Sequence, residues 1–71
     1  MKDLASQIYA AVRSGKMAEP FTPDMVRRSC PGWRDHTYGV FLPKHRVGNP
    51  GRNTELFVRV GPGLYRLAIS N

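Results

Sequence analysis

The last quarter of the chain is the segment that most restricts what it can fold into. Residues 55–69 read ELFVRVGPGLYRLAI, two runs rich in β-branched and aromatic residues on either side of Gly61, Pro62 and Gly63. Glycine supplies the positive φ that a tight turn needs, and Pro62 cannot extend a strand ladder. The segment therefore predicts a β-hairpin. Because an isolated hairpin is only marginally stable in water, the preceding residues must supply helices that pack against one of its faces.

The size of the chain favours a binding module over an enzyme. A domain of 71 residues buries only about 60% of its unfolded surface, which leaves little room for a catalytic cleft. The sequence contains no phosphate-binding glycine loop and no usable pair of carboxylates. Cys30, His36 and His45 follow no zinc-site spacing and lack a fourth ligand. We therefore expect no enzymatic activity, no cofactor and no metal.

The charge balance indicates a polyanionic partner. Eleven Lys and Arg residues against five Asp and Glu residues give a net charge of +6, which favours nucleic acid or a membrane surface as the partner. The single cysteine rules out an internal disulfide and fits a reducing compartment. No run of residues approaches the roughly 20 apolar residues of a membrane span, and no signal-peptide pattern begins the chain. We expect a cytoplasmic protein that does not bind membranes.

Two helices and a short extended segment are predicted in the first 30 residues. The first helix is predicted from Leu4 to Arg13 with Asp3 as its N-cap, because apolar residues recur there at four-residue spacing. Residues 19–21 predict one brief strand alongside the hairpin. Thr22 and Pro23 then form a strong helix start, so a second helix is predicted from Pro23 to about Cys30.

A third helix is predicted after the Pro31-Gly32 turn. Asp35 is expected to cap it, and Pro43 to end it, so that it runs from His36 to about Leu42. Its predicted apolar anchors are Val40, Phe41 and Leu42. Residues 44–53, rich in Gly, Pro, Asn and basic residues, predict a loop.

The order of these elements predicts an α+β fold. Two short helices joined by a tight turn and followed by a hairpin are typical of a winged helix-turn-helix. The sequence thus predicts one winged-helix domain over residues 1–71, in which three helices pack on a small antiparallel sheet closed by a C-terminal hairpin. Its parts would be an N-terminal helix over residues 4–13, a helix-turn-helix over 23–42 and a hairpin over 55–69.

Two short motifs resemble a known family. Residues 21–26 read F-T-P-D-x-V, and residues 56–67 read L-F-x-R-V-x-x-G-L-Y-R-L. Together, in this element order, they resemble the small prokaryotic winged-helix domains associated with restriction systems, the HARE-HTH type. The resemblance implies that the chain binds DNA or senses its modification.

Basic residues are concentrated in the middle of the chain. Residues 27–52 contain six Lys and Arg residues and one acidic residue, a net +5 of the chain's +6. In helix-turn-helix proteins the second helix enters the major groove, while Arg and Lys contact phosphates. Predicted contacts to bases or the groove come from Arg34, His36, Thr37 and Tyr38. Predicted contacts to phosphates come from Arg27, Arg28, Lys44, Arg46 and Arg52.

Other functions fit the same residues. A winged helix can also dock on an acidic or apolar protein, with its charge steering the encounter. Trp33 and Tyr38 near Arg34 can stack bases, which suggests an RNA-binding accessory domain, although Trp33 after a turn is more typical of a core residue. The partner is then nucleic acid, with DNA favoured, or a protein, or a larger enzyme chain to which the domain belongs.

Overall fold

The computed structural model describes residues 3–51 and 53–68. It consists of three helices followed by a C-terminal antiparallel hairpin, which confirms the predicted α+β class and gives a winged-helix-like arrangement. None of the helices in this described part of the chain is long and apolar enough to cross a membrane. The elements are α1 (Leu4–Arg13), α2 (Pro23–Ser29), α3 (Asp35–Lys44), β1 (Phe57–Gly61) and β2 (Leu64–Leu67).

Side-chain caps fix the starts of the first two helices. The Asp3 carboxylate accepts a hydrogen bond from the Ser6 amide at 2.8 Å, and α1 has the predicted bounds. The Thr22 hydroxyl accepts one from the Met25 amide at 3.2 Å, with Pro23 as the first residue of α2. Both caps satisfy amide groups that have no partner within the helix. The end of α2 lies at Ser29, one residue before the predicted end.

The bounds of α3 differ from the prediction. Asp35 is its first residue and not its cap; Arg34 occupies the N-cap and its side chain makes no capping hydrogen bond. Pro43 lies inside the helix, which continues to Lys44. Proline is tolerated here because it removes only one helical hydrogen bond, the one to the Gly39 carbonyl, close to the end of the helix.

The core joins all three helices to the hairpin. The largest fully buried side chains are Phe21, Phe57, Ile8, Leu42 and Val26. The Phe57 ring meets the rings of Phe21 and Phe41 edge-on, with centroids 6.0 and 5.9 Å apart. Of the three predicted anchors of the third helix, Leu42 is buried and Phe41 half-buried, but Val40 faces solvent.

The hairpin is extended at both edges by short pieces of chain. Strands β1 and β2 pair through Phe57 with Leu67 and Arg59 with Tyr65, and Gly63 has a φ of +66° in the turn. Phe21 exchanges two backbone hydrogen bonds with Tyr65, at 2.7 and 2.9 Å, so the predicted strand at residues 19–21 is reduced to one bridge. The strands are shorter than the predicted hairpin over residues 55–69, because β1 begins at Phe57 and β2 ends at Leu67; Ile69 lies outside the described residues.

Three further hydrogen bonds hold the sheet edges. Beside β2, the Glu19 carboxylate accepts a hydrogen bond from the Leu67 amide at 2.7 Å. Beside β1, the Val47 amide donates to the Phe57 carbonyl at 2.8 Å, and the Leu56 amide donates to the His45 carbonyl at 2.8 Å. The chain between α3 and β1 is therefore fastened where it leaves the helix and where it enters the strand.

Candidate nucleic-acid interface

Tyr38 fixes α3 against the end of α2. Its hydroxyl donates a hydrogen bond to the Cys30 carbonyl at 2.6 Å and accepts one from the Trp33 amide at 3.1 Å. The residue is only 3% exposed. The prediction that Tyr38 contacts a base is therefore wrong, since its ring is buried and its hydroxyl is engaged within the fold.

The amino end of α3 presents an arginine and a histidine. Arg34 at the N-cap and His36 in the first turn are both exposed. Thr37 is half-buried, and its amide donates to the Arg34 carbonyl at 2.9 Å. Arg34 and His36 are thus accessible to a ligand from outside, whereas Thr37 is turned partly towards the protein.

Arg27 and Arg28 share one carboxylate. Both are exposed in the last turn of α2; Arg27 is hydrogen-bonded to Asp24, and Arg28 lies 3.0 Å from its other oxygen. The hydrogen bond from Arg27 lowers the pKa of Asp24. The same bond raises the pKa of Arg27, and the charge of Asp35 adds to this shift. Exposed ion pairs of this kind contribute little stability, so a phosphate can compete for either arginine.

Two of the remaining predicted phosphate contacts, Lys44 and Arg46, lie at the other end of α3. Lys44 is the exposed last residue of the helix. Arg46 is half-buried, forms a parallel bridge with Phe57, and donates a side-chain hydrogen bond to the Val47 carbonyl at 3.4 Å. Arg52 lies outside the described residues. The structure thus divides the described candidates into a group at the amino end of α3 and a group at its carboxyl end.

Hydrogen bonds organise the loop that carries Arg46. The His45 Nδ1 atom lies 2.8 Å from the Thr54 carbonyl, and the Asn49 side-chain amide donates to the Pro43 carbonyl at 2.7 Å. The Glu55 carboxylate accepts from the Gly48 amide at 2.8 Å. These contacts hold the loop close to the carboxyl end of α3, where its basic residue extends the charged surface.

Sequence reasoning missed the exposed position of Val40. Its neighbours at four-residue spacing, His36 and Lys44, are exposed as well, while Tyr38 and Leu42 form the buried side of α3. Residues four apart lie on the same side of a helix. The four-residue spacing of Tyr38 and Leu42 is the sequence pattern that indicates the buried side of α3. This pattern could have shown that Val40 lies on the exposed side.

Trp33 is neither fully buried nor part of an aromatic patch. It is 38% exposed, and its indole Nε1 donates to the Gln7 side chain at 3.0 Å, which holds the ring against α1. Because Tyr38 is buried, the two aromatic residues do not form a common exposed surface for stacking bases.

Other possible sites are chemically poor. Burial raises the pKa of the Cys30 thiol, which disfavours the reactive thiolate. An open groove of about 400 Å³ beside it is lined mostly by small and polar residues, together with Lys16. Among the residues that the structure describes, no group of three or more His, Cys, Asp or Glu side chains could hold a metal ion.

Comparisons with known protein families, with curated proteins and with solved structures each found no match. The resemblance to the HARE-HTH type therefore depends on the two motifs alone. In the structure their residues serve the fold: Thr22 caps α2, while Phe21, Phe57 and Tyr65 are buried. The motifs thus contribute to the start of α2 and to the core, and they include none of the basic residues predicted to bind phosphates.

Proposed function

We propose that this chain is a module that binds double-stranded DNA. The observation that supports the proposal most directly is the arrangement of cations around α3 in a winged-helix-like fold. Arg34 lies at one end of the helix and Lys44 at the other, and both are exposed. A ten-residue helix is about 15 Å long, and the major groove is about 12 Å wide, so both cations can reach phosphates that border one groove.

Phosphate contacts would provide most of the affinity. The proposed set is Arg27, Arg28, Arg34, Lys44 and Arg46, and the amino half of α3 with His36 would face the base edges. Such contacts determine register and orientation on the duplex but carry no sequence information. A role like that of the HARE-HTH type, in a prokaryotic restriction system, is part of the same proposal and is motivated by the motif resemblance.

The loop after α3 would take the place of a charged wing. The hairpin turn consists of Pro62 and Gly63, so it is short and has no charge. The loop over residues 45–56 carries Arg46 and is fastened at both ends by backbone hydrogen bonds. A loop held in this way can keep Arg46 oriented towards the DNA backbone beside α3.

The salt dependence of binding tests the proposal. Four to five phosphate contacts predict a slope near −4 for the logarithm of the binding constant against the logarithm of salt concentration, since each contributes about 0.9. Fluorescence anisotropy with a short duplex measures it. Arg34→Ala should reduce the magnitude of this slope by about 1. Arg13 is an exposed arginine at the end of α1, and Arg13→Ala should leave the slope unchanged.

Two results would contradict the proposal. One is a binding constant that does not change with salt. The other is an amide chemical-shift titration in which the duplex perturbs α1 instead of the last turn of α2 and α3.

A protein-interaction module is the second candidate, and the exposure of Trp33 favours it. In that case the chain would bind no duplex at moderate salt, and Trp33→Ala would weaken binding to the protein partner. An RNA-binding role is distinguished by titrating single-stranded RNA and duplex DNA side by side, with the RNA then bound more tightly.

A further inference from the structure

The outward side of α3 has an uncharged centre. Between Arg34 and Lys44 the helix carries no other Lys or Arg, and its one carboxylate, Asp35, lies in the first turn beside Arg34. The exposed residues that follow include His36, Gly39 and Val40. Val40 is 44% exposed, which makes it one of the few large apolar side chains at the surface of the described residues. An apolar side chain is thus placed between cations at the two ends of the helix.

Gly39 has no evident role within the fold. A glycine inside a helix is destabilising relative to alanine. Its backbone is not among the positive-φ glycines, so the helix conformation does not require it. A Cβ atom added at this position would meet no atom of a neighbouring element within 4 Å. Because Gly39 has no side chain, the surface of α3 has a shallow depression directly beside Val40.

We infer that Val40 packs against the 5-methyl group of a thymine in the major groove, with Gly39 allowing the base edge to approach the helix. The inference rests on the proposed function and gives the module a preference for A·T base pairs under α3. The thymine methyl is the apolar feature that the major groove presents, and apolar side chains contact it.

The charge distribution favours DNA over an apolar protein as the occupant of this surface. In the groove the base edges lie between two rows of phosphates. An uncharged centre with cations at both ends matches that pattern, because Val40 would face bases where Arg34 and Lys44 face phosphates. An apolar protein surface would offer Arg34 and Lys44 no matching anions.

Removal of the methyl group alone tests the inference. Anisotropy titrations compare an alternating A–T duplex with the same duplex in which deoxyuridine replaces every thymidine. The wild-type chain should bind the thymine duplex about fourfold more tightly, the factor that corresponds to about 0.8 kcal/mol for one buried methyl group. The ratio should fall to about 1 for Val40→Ala. It should persist for Val60→Ala, an equally exposed valine on the hairpin.

The outcomes separate this inference from the proposed function. If the wild type binds both duplexes and the ratio is the same in Val40→Ala, the thymine contact is wrong while DNA binding stands. If the wild type binds neither duplex, the proposed function fails and the inference fails with it.

A second variant examines Gly39. Gly39→Ala should raise the thermal midpoint of unfolding, because alanine favours the helix, and yet weaken binding to the thymine duplex severalfold. Circular dichroism and anisotropy give the two values. If Gly39→Ala is more stable but binds DNA with unchanged affinity, the base edge does not approach the helix at Gly39.

Discussion

Helices α2 and α3 are specified in different ways. Helix α2 has its determinants in its own sequence: Thr22 caps it, Pro23 begins it and Asp24 lies in its first turn. Helix α3 has no side-chain cap and contains both Gly39 and Pro43, which weaken helices. The helix at the candidate interface is therefore held mainly by its contacts with the rest of the protein.

This difference leaves the outward side of α3 available for function. The buried contacts that position the helix come from Tyr38 and Leu42. Residues on the opposite side, such as His36, Gly39 and Val40, make no comparable contribution to the core. These positions can therefore carry side chains that suit a ligand without loss of the fold.

The largest effect is expected where α3 depends on a tertiary hydrogen bond. Tyr38→Phe removes the hydroxyl that bonds to Cys30 and Trp33, which leaves a buried carbonyl without this partner. The free energy of unfolding should fall by about 1 to 3 kcal/mol in urea denaturation. Tyr65→Phe is the control, because the Tyr65 hydroxyl makes no hydrogen bond to the described residues. Equal, small losses in both variants would mean that the hydroxyl does not hold α3.

A smaller effect distinguishes the two helix starts. Thr22→Ala removes the cap of α2 and should lower the free energy of unfolding by about 1 kcal/mol. Arg34→Ala, at the equivalent position of α3, should change it by less than about 0.5 kcal/mol, since the Arg34 side chain makes no capping bond. Thermal or urea unfolding measures both. The contrast between α2 and α3 would be lost if the two variants were destabilised equally.

The smallest effect concerns the carboxylate in α2. Hydrogen bonding from Arg27 lowers the pKa of Asp24 in the folded protein, so the ionised group stabilises the fold above its ordinary pKa of 3.8. This contribution should be lost as the pH falls below 3.8 towards the lowered value. Urea midpoints measured against pH should show a slightly shallower acid decline for Asp24→Asn than for the wild type. Superimposable declines would show that the pair with Arg27 adds nothing.

Local signals explain what was predictable in the fold. The spacing of Leu4 and Ile8 and the cap at Asp3 gave α1 its observed bounds, and Thr22 with Pro23 marked the start of α2. The hairpin turn followed from its glycines. In each case the determining interaction lies within a few residues of the chain, so the sequence alone contains it.

The errors occurred where distant residues decide the outcome. The end of α3 was misplaced because Pro43 usually stops a helix, yet here the helix continues by one residue. Tyr38 was assigned to the DNA surface because of its position in the predicted third helix. Its hydrogen bonds to Cys30 and Trp33 exist only after the turn has formed, so the sequence did not show that Tyr38 is buried. Arg27, Arg28 and Arg34 are exposed, and their role in binding DNA stays a prediction.

The fastening of the hairpin edges also bears on self-association. A two-stranded ribbon exposes backbone groups along both sides, and such groups can recruit strands from other molecules. Here Phe21 and Glu19 occupy positions along β2, while His45 and Val47 occupy the start of β1. A strand from a second molecule would therefore find the start of β1 and the positions of Tyr65 and Leu67 on β2 already paired within the fold.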